Sequence, residues 1–384
     1  MKYTCDETEA LCFLQMTPGI YNSQIKKLYD RFGSYVTAVT ADESDYKKVL
    51  KSDEYEIILA RREISGITGD YQNLRSKGIN YCIQGSANFP KKLMNIPDAP
   101  LSLYYKGALP DDKRPVVAII GARNCSGYGR QMAREYALEL AYNGISVISG
   151  LARGIDALAE NTAIDAGGIS YGVLGSGIDI CYPSQNRSLY DKAVINGGII
   201  SEYPPGTPAR PFMFPQRNRI ISGLSDAVIV IEARERSGTL ITVNTALSQG
   251  KDVYALPGRT TDSLSYGCNK LIKDGAVPLL RPFEFIEEFR ARLPYNNTAP
   301  TPSYTDGNKN VTESNAFGDN MFLTSNERMV MSVMDYNPKS AGEIFYEISE
   351  KATLTIPELL QILTDMTIQH KLKCIDGYNY CIYN

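Results

Sequence analysis

The 384-residue sequence predicts an α/β protein built on a doubly wound, mostly parallel sheet. Three observations predict it. Short β-branched runs alternate with helix-length segments from Pro115 to Leu280, the runs are apolar on both faces, and several end in glycine-rich turns. Strands without a polar face belong to a sheet covered by helices on both sides, and intervening helices make the strands parallel. We therefore assign residues 76–293 to a Rossmann-like domain. A helical domain (1–75) of helix-hairpin-helix or SAM-like type precedes it, and a linker (294–320) and a C-terminal winged-helix module (321–384) follow.

The first 75 residues read as helices. The turn Thr17-Pro18-Gly19-Ile20 precedes Gln24–Phe32, whose apolar residues Ile25, Leu28, Tyr29 and Phe32 have helical spacing. Such a Pro-Gly turn suits a cap on a DNA phosphate, and it equally suits the plain closure of a small helical domain, which is the favoured reading. Two short strands, Tyr81–Ile83 and Leu101–Tyr105, lead into the sheet. The predicted sheet strands are Val116–Ile120, Ser146–Ser149, Tyr171–Leu174, Ile199–Glu202, Val228–Glu232 and Val253–Leu256. Between them fall helical stretches such as Gly129–Tyr142, Ile155–Asp165 and Leu240–Gln249.

Residues 294–320 are rich in Asn, Thr, Pro, Ser and Gly with no periodic apolar face, as expected of a disordered linker. Beyond it, helical patterns at Ser325–Met334, Ala341–Ser349 and Ile356–Ile368 precede a hairpin, Lys371–Ile375 and Tyr378–Tyr383, turning at Asp376-Gly377. That is the outline of a winged helix. A groove-reading third helix is basic, whereas Thr353 to Gln369 holds Glu358 and Asp365 and no Lys or Arg. The module is expected to contact protein.

Composition narrows the function. The N-terminal residues carry early acidic side chains and no long apolar run, and no stretch approaches the ~20 apolar residues of a membrane span. The eight cysteines form no C-x-x-C pair, so no zinc site or disulfide scaffold is expected, and the compartment expected is the cytoplasm. No cofactor is indicated. The single histidine, His370, lies far from every glycine-rich motif, which argues against histidine-based catalysis. Net charge is −3, yet Lys113 to Arg219 holds eleven Lys/Arg against eight Asp/Glu. Phosphate binding depends on where charge is concentrated.

The glycine-rich turns concentrate it. Val116–Ile120 runs into Gly121-Ala122-Arg123, and Ser126-Gly127-Tyr128-Gly129 then opens a helix. Glycines admit an anion to the backbone and a helix N-terminus supplies free amides. The dinucleotide pattern G-x-G-x-x-G is absent, and a guanidinium at the tip, Arg123, suits phosphate better than a cofactor. Ser149 to Asp156, with Arg153 inside it, and Leu174 to Asp179 repeat the arrangement. Phe212-Met213-Phe214-Pro215-Gln216-Arg217-Asn218-Arg219 joins two aromatics to two arginines at a helix start, a pattern for stacking bases and holding phosphates. Arg234 to Thr239 supplies a further amide-rich helix start.

In order, GAR-NCSGYG, SGLARGID, LGSGIDICYP, SEYPPG, FPQRNRIISGL, EARERSGTLIT and PGRTTDSLSYGCNKLIKDGA resemble the successive blocks of the DNA-processing protein DprA (Smf) family. The resemblance covers about Ser76 to Leu293 strongly and both ends more loosely. It implies a protein that binds single-stranded DNA in a positively charged pocket, dimerises through the Rossmann-like domain, and loads RecA recombinase during natural transformation, without catalysis. By matching residue, it implies a DNA contact at Arg123; Gly121 and Ser126 of the same turn and Arg153 of the second are expected contacts from the turns themselves. It adds Phe214, Arg217, Asn218 and Arg219 in the F-P-x-R-N-R block, and Gly238 and Thr239 in the S-G-[ST] block. Arg187 and Arg210 lie where relatives place basic residues. Two positions depart: Ala122 replaces a serine, and Glu160 stands near a common histidine.

A competing class is an enzyme of the Rossmann-like phosphoribohydrolase type, with Ser237-Gly238-Thr239 as a partial phosphate turn and Glu202 or Glu232 as carboxylate. A carboxylate at a strand end also simply holds a neighbouring arginine, which is the reading we favour. A nucleotide sensor of a defence system rests on fold analogy alone.

Overall fold

A computed structural model describes residues 4–293, 325–334, 338–348, 354–368, 372–375 and 378–382. The linker at 294–320, His370 and the Asp376-Gly377 turn lie outside the described residues. The chain forms two compact units, Met1–Pro302 and Ser303–Asn384.

The first unit is organised by a nine-stranded sheet. Its strands are β1 (Asn80–Ile83), β2 (Ser102–Gly107), β3 (Val116–Ile120), β4 (Ser146–Ser149), β5 (Ser170–Leu174), β6 (Gly197–Ser201), β7 (Ala227–Val230), β8 (Asp252–Ala255) and β9 (Val277–Pro278). The spatial order is β1-β2-β6-β5-β4-β3-β7-β8-β9. From β6 to β9 every pairing is parallel; β2 joins β6, and β1 joins β2, antiparallel. The chain travels outward from β3 through β4, β5 and β6, then returns to the other side of β3 for β7. The Rossmann-like α/β class is thus observed, and its direction reverses between β3 and β7, where such sheets bind ligands.

The apolar strands are explained by two cores. Val116, Ala118 and Ile120 face one, packed with Ile220, Ile221 and Leu224 of helix Met213–Leu224 and Val243 and Ala246 of helix Gly238–Ser248. Val117 and Ile119 face the other, against Ala133, Tyr136 and Leu140 of helix Gly127–Tyr142 and Phe285 and Phe289 of helix Pro282–Arg292. Alternating residues of one strand go to opposite faces, so a strand covered on both sides reads as a nearly continuous apolar run, and a buried serine such as Ser149 donates its hydroxyl to a backbone carbonyl, here that of Ile119 at 2.6 Å. The two-residue β9 is too short to carry a sequence signal.

The N-terminal helices pack onto this sheet. Helix Glu7–Met16 starts at a capping box, with Asp6 accepting from the Glu9 amide at 2.8 Å and Glu9 accepting from the Asp6 amide at 3.0 Å. Its residues Ala10 to Gln15 are all buried, so this helix is interior rather than amphipathic. Gln15 Oε1 accepts from the Tyr81 hydroxyl of β1 (2.8 Å) and the Ser102 hydroxyl of β2 (2.6 Å). One apolar cluster joins Phe13, Leu14 and Ile25 to Tyr81, Tyr104, Leu174 and Ile178.

The second unit holds helices Ser325–Val333, Ala341–Ile348 and Ile356–Ile368, with strands β10 (Lys339–Ser340), β11 (Leu372–Ile375) and β12 (Asn379–Ile382). Its antiparallel sheet has the order β10-β12-β11. Val330, Ile344, Ile348, Leu359, Leu363, Met366 and Leu372 form the core. Among the described residues no helix is long and apolar enough to cross a membrane, and no cluster of His, Cys, Asp or Glu is placed to hold a metal ion.

Candidate nucleic-acid interface

At the carboxyl edge of β3, beside β7, the turns enclose a cavity of about 590 Å³. The turn after β3 contributes Gly121, Ala122 and Arg123, the start of helix Met213–Leu224 contributes Phe214, Arg217 and Asn218, and helix Gly238–Ser248 contributes Gly238 and Thr239. Arg123 is exposed, with its guanidinium 5.9 Å from the Phe214 ring centroid. Tyr182 tilts at 38° to Phe214 with centroids 5.4 Å apart. Arg236 and Ser237 complete the wall. Among the described residues neither Arg123 nor Arg236 makes an ion pair.

The start of helix Gly238–Ser248 gives the wall its polarity. The Ser237 hydroxyl caps the helix by accepting from the Thr239 amide at 3.2 Å, and Thr239 Oγ1 donates to the Gly121 carbonyl at 3.2 Å. That second bond fastens the helix to the turn after β3. Gly238 leaves its backbone unshielded, with nothing within 4 Å of where a side chain would begin. First-turn amides and the positive dipole end favour an anion here.

Arg217 belongs to the cavity floor. It is 5% exposed, and its guanidinium donates to the carbonyls of Gly150 (2.9 Å) and Val173, while Nε donates to Asn218 Oδ1 (3.2 Å). It thereby ties the end of β4 to the end of β5. Beneath it lie Asp156 and Glu160, 8% and 1% exposed. Burial raises both carboxyls, Glu160 well above the usual range with Asp156 adding to the rise, while Arg217 opposes it in each. Burial in turn lowers the Arg217 guanidinium from its ordinary value.

The glycine turns serve this packing. A side chain on Gly150 would begin 2.6 Å from the Arg217 guanidinium, and one on Gly175 would begin 2.8 Å from the Phe214 ring. Glycines that suggest ligand approach in the sequence therefore also admit the protein's own arginine and phenylalanine.

Seven of the twelve expected residues, Gly121, Arg123, Phe214, Arg217, Asn218, Gly238 and Thr239, line one cavity. Five stand apart. Ser126 caps helix Gly127–Tyr142, and its amide (3.0 Å) and hydroxyl (2.5 Å) both donate to Glu232. An internal carboxylate thus occupies the helix start expected to take phosphate. Arg219 is held by Glu202 at 2.7 and 2.8 Å. Arg187 pairs with Asp191 at 3.0 Å on an exposed helix face. Arg153 is exposed outside the cavity, and Arg210 lines a second cleft. Tyr182 and Arg236 were not singled out by sequence. Tyr182 enters through the loop after β5, whose place beside Phe214 depends on strand order rather than local pattern.

Comparison with known proteins follows the same segment. A model of the family described as DNA recombination-mediator protein A matches residues 80–290. The chain is 43% identical over 201 residues to the DNA processing protein DprA of Streptococcus pneumoniae, covering 52% of this chain and 71% of that protein. The X-ray structure of DprA from Streptococcus pneumoniae superposes with a TM-score of 0.61 at 32% identity, covering 74% of this chain and 99% of that one. A structure of DNA processing protein A from Helicobacter pylori, described for its single-stranded DNA binding mode, gives 0.50 at 30% identity over 55% of this chain and 96% of that one. With the family's segment spanning the sheet and every turn of the cavity, this chain belongs to the DNA-processing protein DprA (Smf) family.

Proposed function

We propose that the cavity beside β3 and β7 binds single-stranded DNA, and that the protein passes the bound strand to a RecA recombinase during DNA uptake. One observation carries the DNA reading. Two unpaired arginines, Arg123 and Arg236, and an open helix start at Gly238 and Thr239 face the same cavity as the Phe214–Tyr182 aromatic pair. Guanidinium and amide groups suit phosphates, and aromatic faces suit unpaired bases of any identity. A duplex buries its base faces and offers the aromatic pair nothing, so single strands are preferred.

Arg217 supports the site from below. The family's description as a recombination mediator supports the hand-over to RecA, and the resemblance of the sequence blocks supports a homodimer formed through the Rossmann-like domain. The function is non-catalytic. Glu202 and Glu232, the carboxylates a nucleotide hydrolase would need, are engaged by Arg219 and Ser126 respectively. The second unit is proposed to be a winged helix that contacts protein, because helix Ile356–Ile368 presents Glu358 and Asp365 and no Lys or Arg. A cytoplasmic setting follows from this role.

The test compares labelled single-stranded and duplex oligonucleotides by fluorescence anisotropy, with RecA filament formation on the single strand as a second readout. Preferential binding to the single strand, and faster filament formation in the protein's presence, are expected. Equal binding to duplex would sink the stacking argument. Hydrolysis of nucleoside monophosphates abolished by Glu202→Gln or Glu232→Gln would favour the enzyme instead.

A further inference from the structure

The first unit holds a second, larger cleft of about 1020 Å³, lined by the turn from Thr17 to Ser23 on one side and by the segment from Tyr203 to Gln216 on the other. Its volume lies at the upper end of the ~300–1,000 Å³ range of ligand sites. Pro215 lines both this cleft and the Arg123 cavity, so the two meet at that residue. Phe214 and Phe212 fall on either side of this divide, Phe214 in the cavity and Phe212 in the cleft.

The cleft wall is chemically unlike a packing defect. Phe212 is 56% exposed and Tyr21 69% exposed, whereas Phe13 and Tyr46 of the same helical region are fully buried. Arg210 is exposed at the cleft and, among the described residues, makes no ion pair. On the floor, Glu202 is neutralised by its two bonds to Arg219. The remaining carboxylate is Asp98, exposed at the rim.

We infer that the single strand continues from the Arg123 cavity over Pro215 into this cleft, where its next bases stack on Phe212 and Tyr21 and Arg210 holds a phosphate. The inference rests on the single-strand reading above. Three features select nucleic acid as the occupant: contiguity with the cavity, two open aromatic faces, and an unpaired guanidinium. Asp98 repels a phosphate and accepts hydrogen bonds from base N–H groups, the thymine imide included, so the backbone runs on the Arg210 side and base edges turn towards Asp98. The Pro-Gly turn near the N-terminus thereby acquires a function. It presents Tyr21, not its backbone amides, to the strand.

The test uses the full chain and oligothymidylates of about six and about fifteen nucleotides, lengths that bracket ordinary single-strand site sizes. Phe212→Ala combined with Tyr21→Ala is expected to weaken binding of the longer strand about tenfold or more and leave the shorter one unchanged. Tyr21→Phe keeps the ring and should bind as wild type. Photo-crosslinking from a terminal 5-iododeoxyuridine on the longer strand should reach Tyr21 or Phe212. A double variant that binds both lengths as wild type does, with no crosslink in the cleft, overturns the inference while leaving the cavity in place. Wild-type protein that binds neither length overturns the single-strand reading, and this inference with it. Melting curves identical to wild type exclude misfolding of the double variant as the cause.

Discussion

Arg217 is legible in the sequence as a DNA-contacting arginine, yet its geometry predicts that Arg217→Ala acts first on stability. The guanidinium is 5% exposed and holds the carbonyls of Gly150 and Val173, which end two neighbouring strands. Its removal takes a donor from both carbonyls and leaves Asp156 without the cation that opposes its desolvation. Breaking a buried, hydrogen-bonded charge arrangement costs about 3–5 kcal/mol. At ~2–4 °C per kcal/mol for a large domain, Tm should fall by roughly 10 °C. Differential scanning calorimetry at neutral pH measures it directly. Single-strand binding, taken at a temperature where the variant remains folded, should suffer less than in Arg123→Ala. An unchanged Tm with abolished DNA binding would show that Arg217 does not hold the fold and make it a direct ligand.

Other expectations follow from the same contacts. Glu160→Gln should raise Tm increasingly as pH climbs above the ordinary glutamate value of 4.5, and the gain should vanish towards pH 4. The sign follows from linkage: a carboxyl whose folded pKa is raised adds stability below its unfolded pKa and loses it as pH rises through the folded one. A variant less stable than wild type at pH 8 would mean that Arg217 needs an ionised Glu160. Gly129→Ala places a methyl 2.4 Å from the Glu232 carboxylate and should destabilise by about 1–3 kcal/mol, read by urea denaturation. Wild-type stability would show that the helix start shifts freely. Truncation before residue 321 should leave single-strand affinity within about twofold of the full chain, since helix Ile356–Ile368 carries no basic residue. A large loss would give the second unit a DNA role.

The sheet was legible because burial on both faces writes itself into the sequence. Val116–Ile120, Ser146–Ser149 and helix Ile155–Asp165 are observed where the apolar runs end. Elsewhere, strand and helix ends moved by one or two residues, as at β6, where the Ser201 hydroxyl turns to the Ser176 carbonyl and Glu202 leaves the ladder for Arg219. Half of the site was legible for a different reason. Turns at the carboxyl edge of a doubly wound sheet converge by topology, so Gly121, Arg123, Gly238 and Thr239 were bound to meet. What the pattern does not disclose is which polar groups the protein spends on itself. Ser126 and Arg219 stand in motifs as suggestive as Arg123, and only the tertiary neighbours Glu232 and Glu202 distinguish them. Tyr182 was illegible in the opposite sense, since an aromatic beside proline reads as core until its exposure is known.

Binding of DNA in the Arg123 cavity is tested most plainly by the salt dependence of single-strand affinity in wild type, Arg123→Ala and Arg236→Ala, read by anisotropy on strands of several sequences. Each phosphate contact contributes about 0.7 to the slope of log affinity against log salt for a single strand. Weaker binding to every sequence and a slope shallower by about that amount are expected in each variant. Slopes and affinities equal to wild type in both variants would contradict binding there and remove the cavity from the path of the DNA.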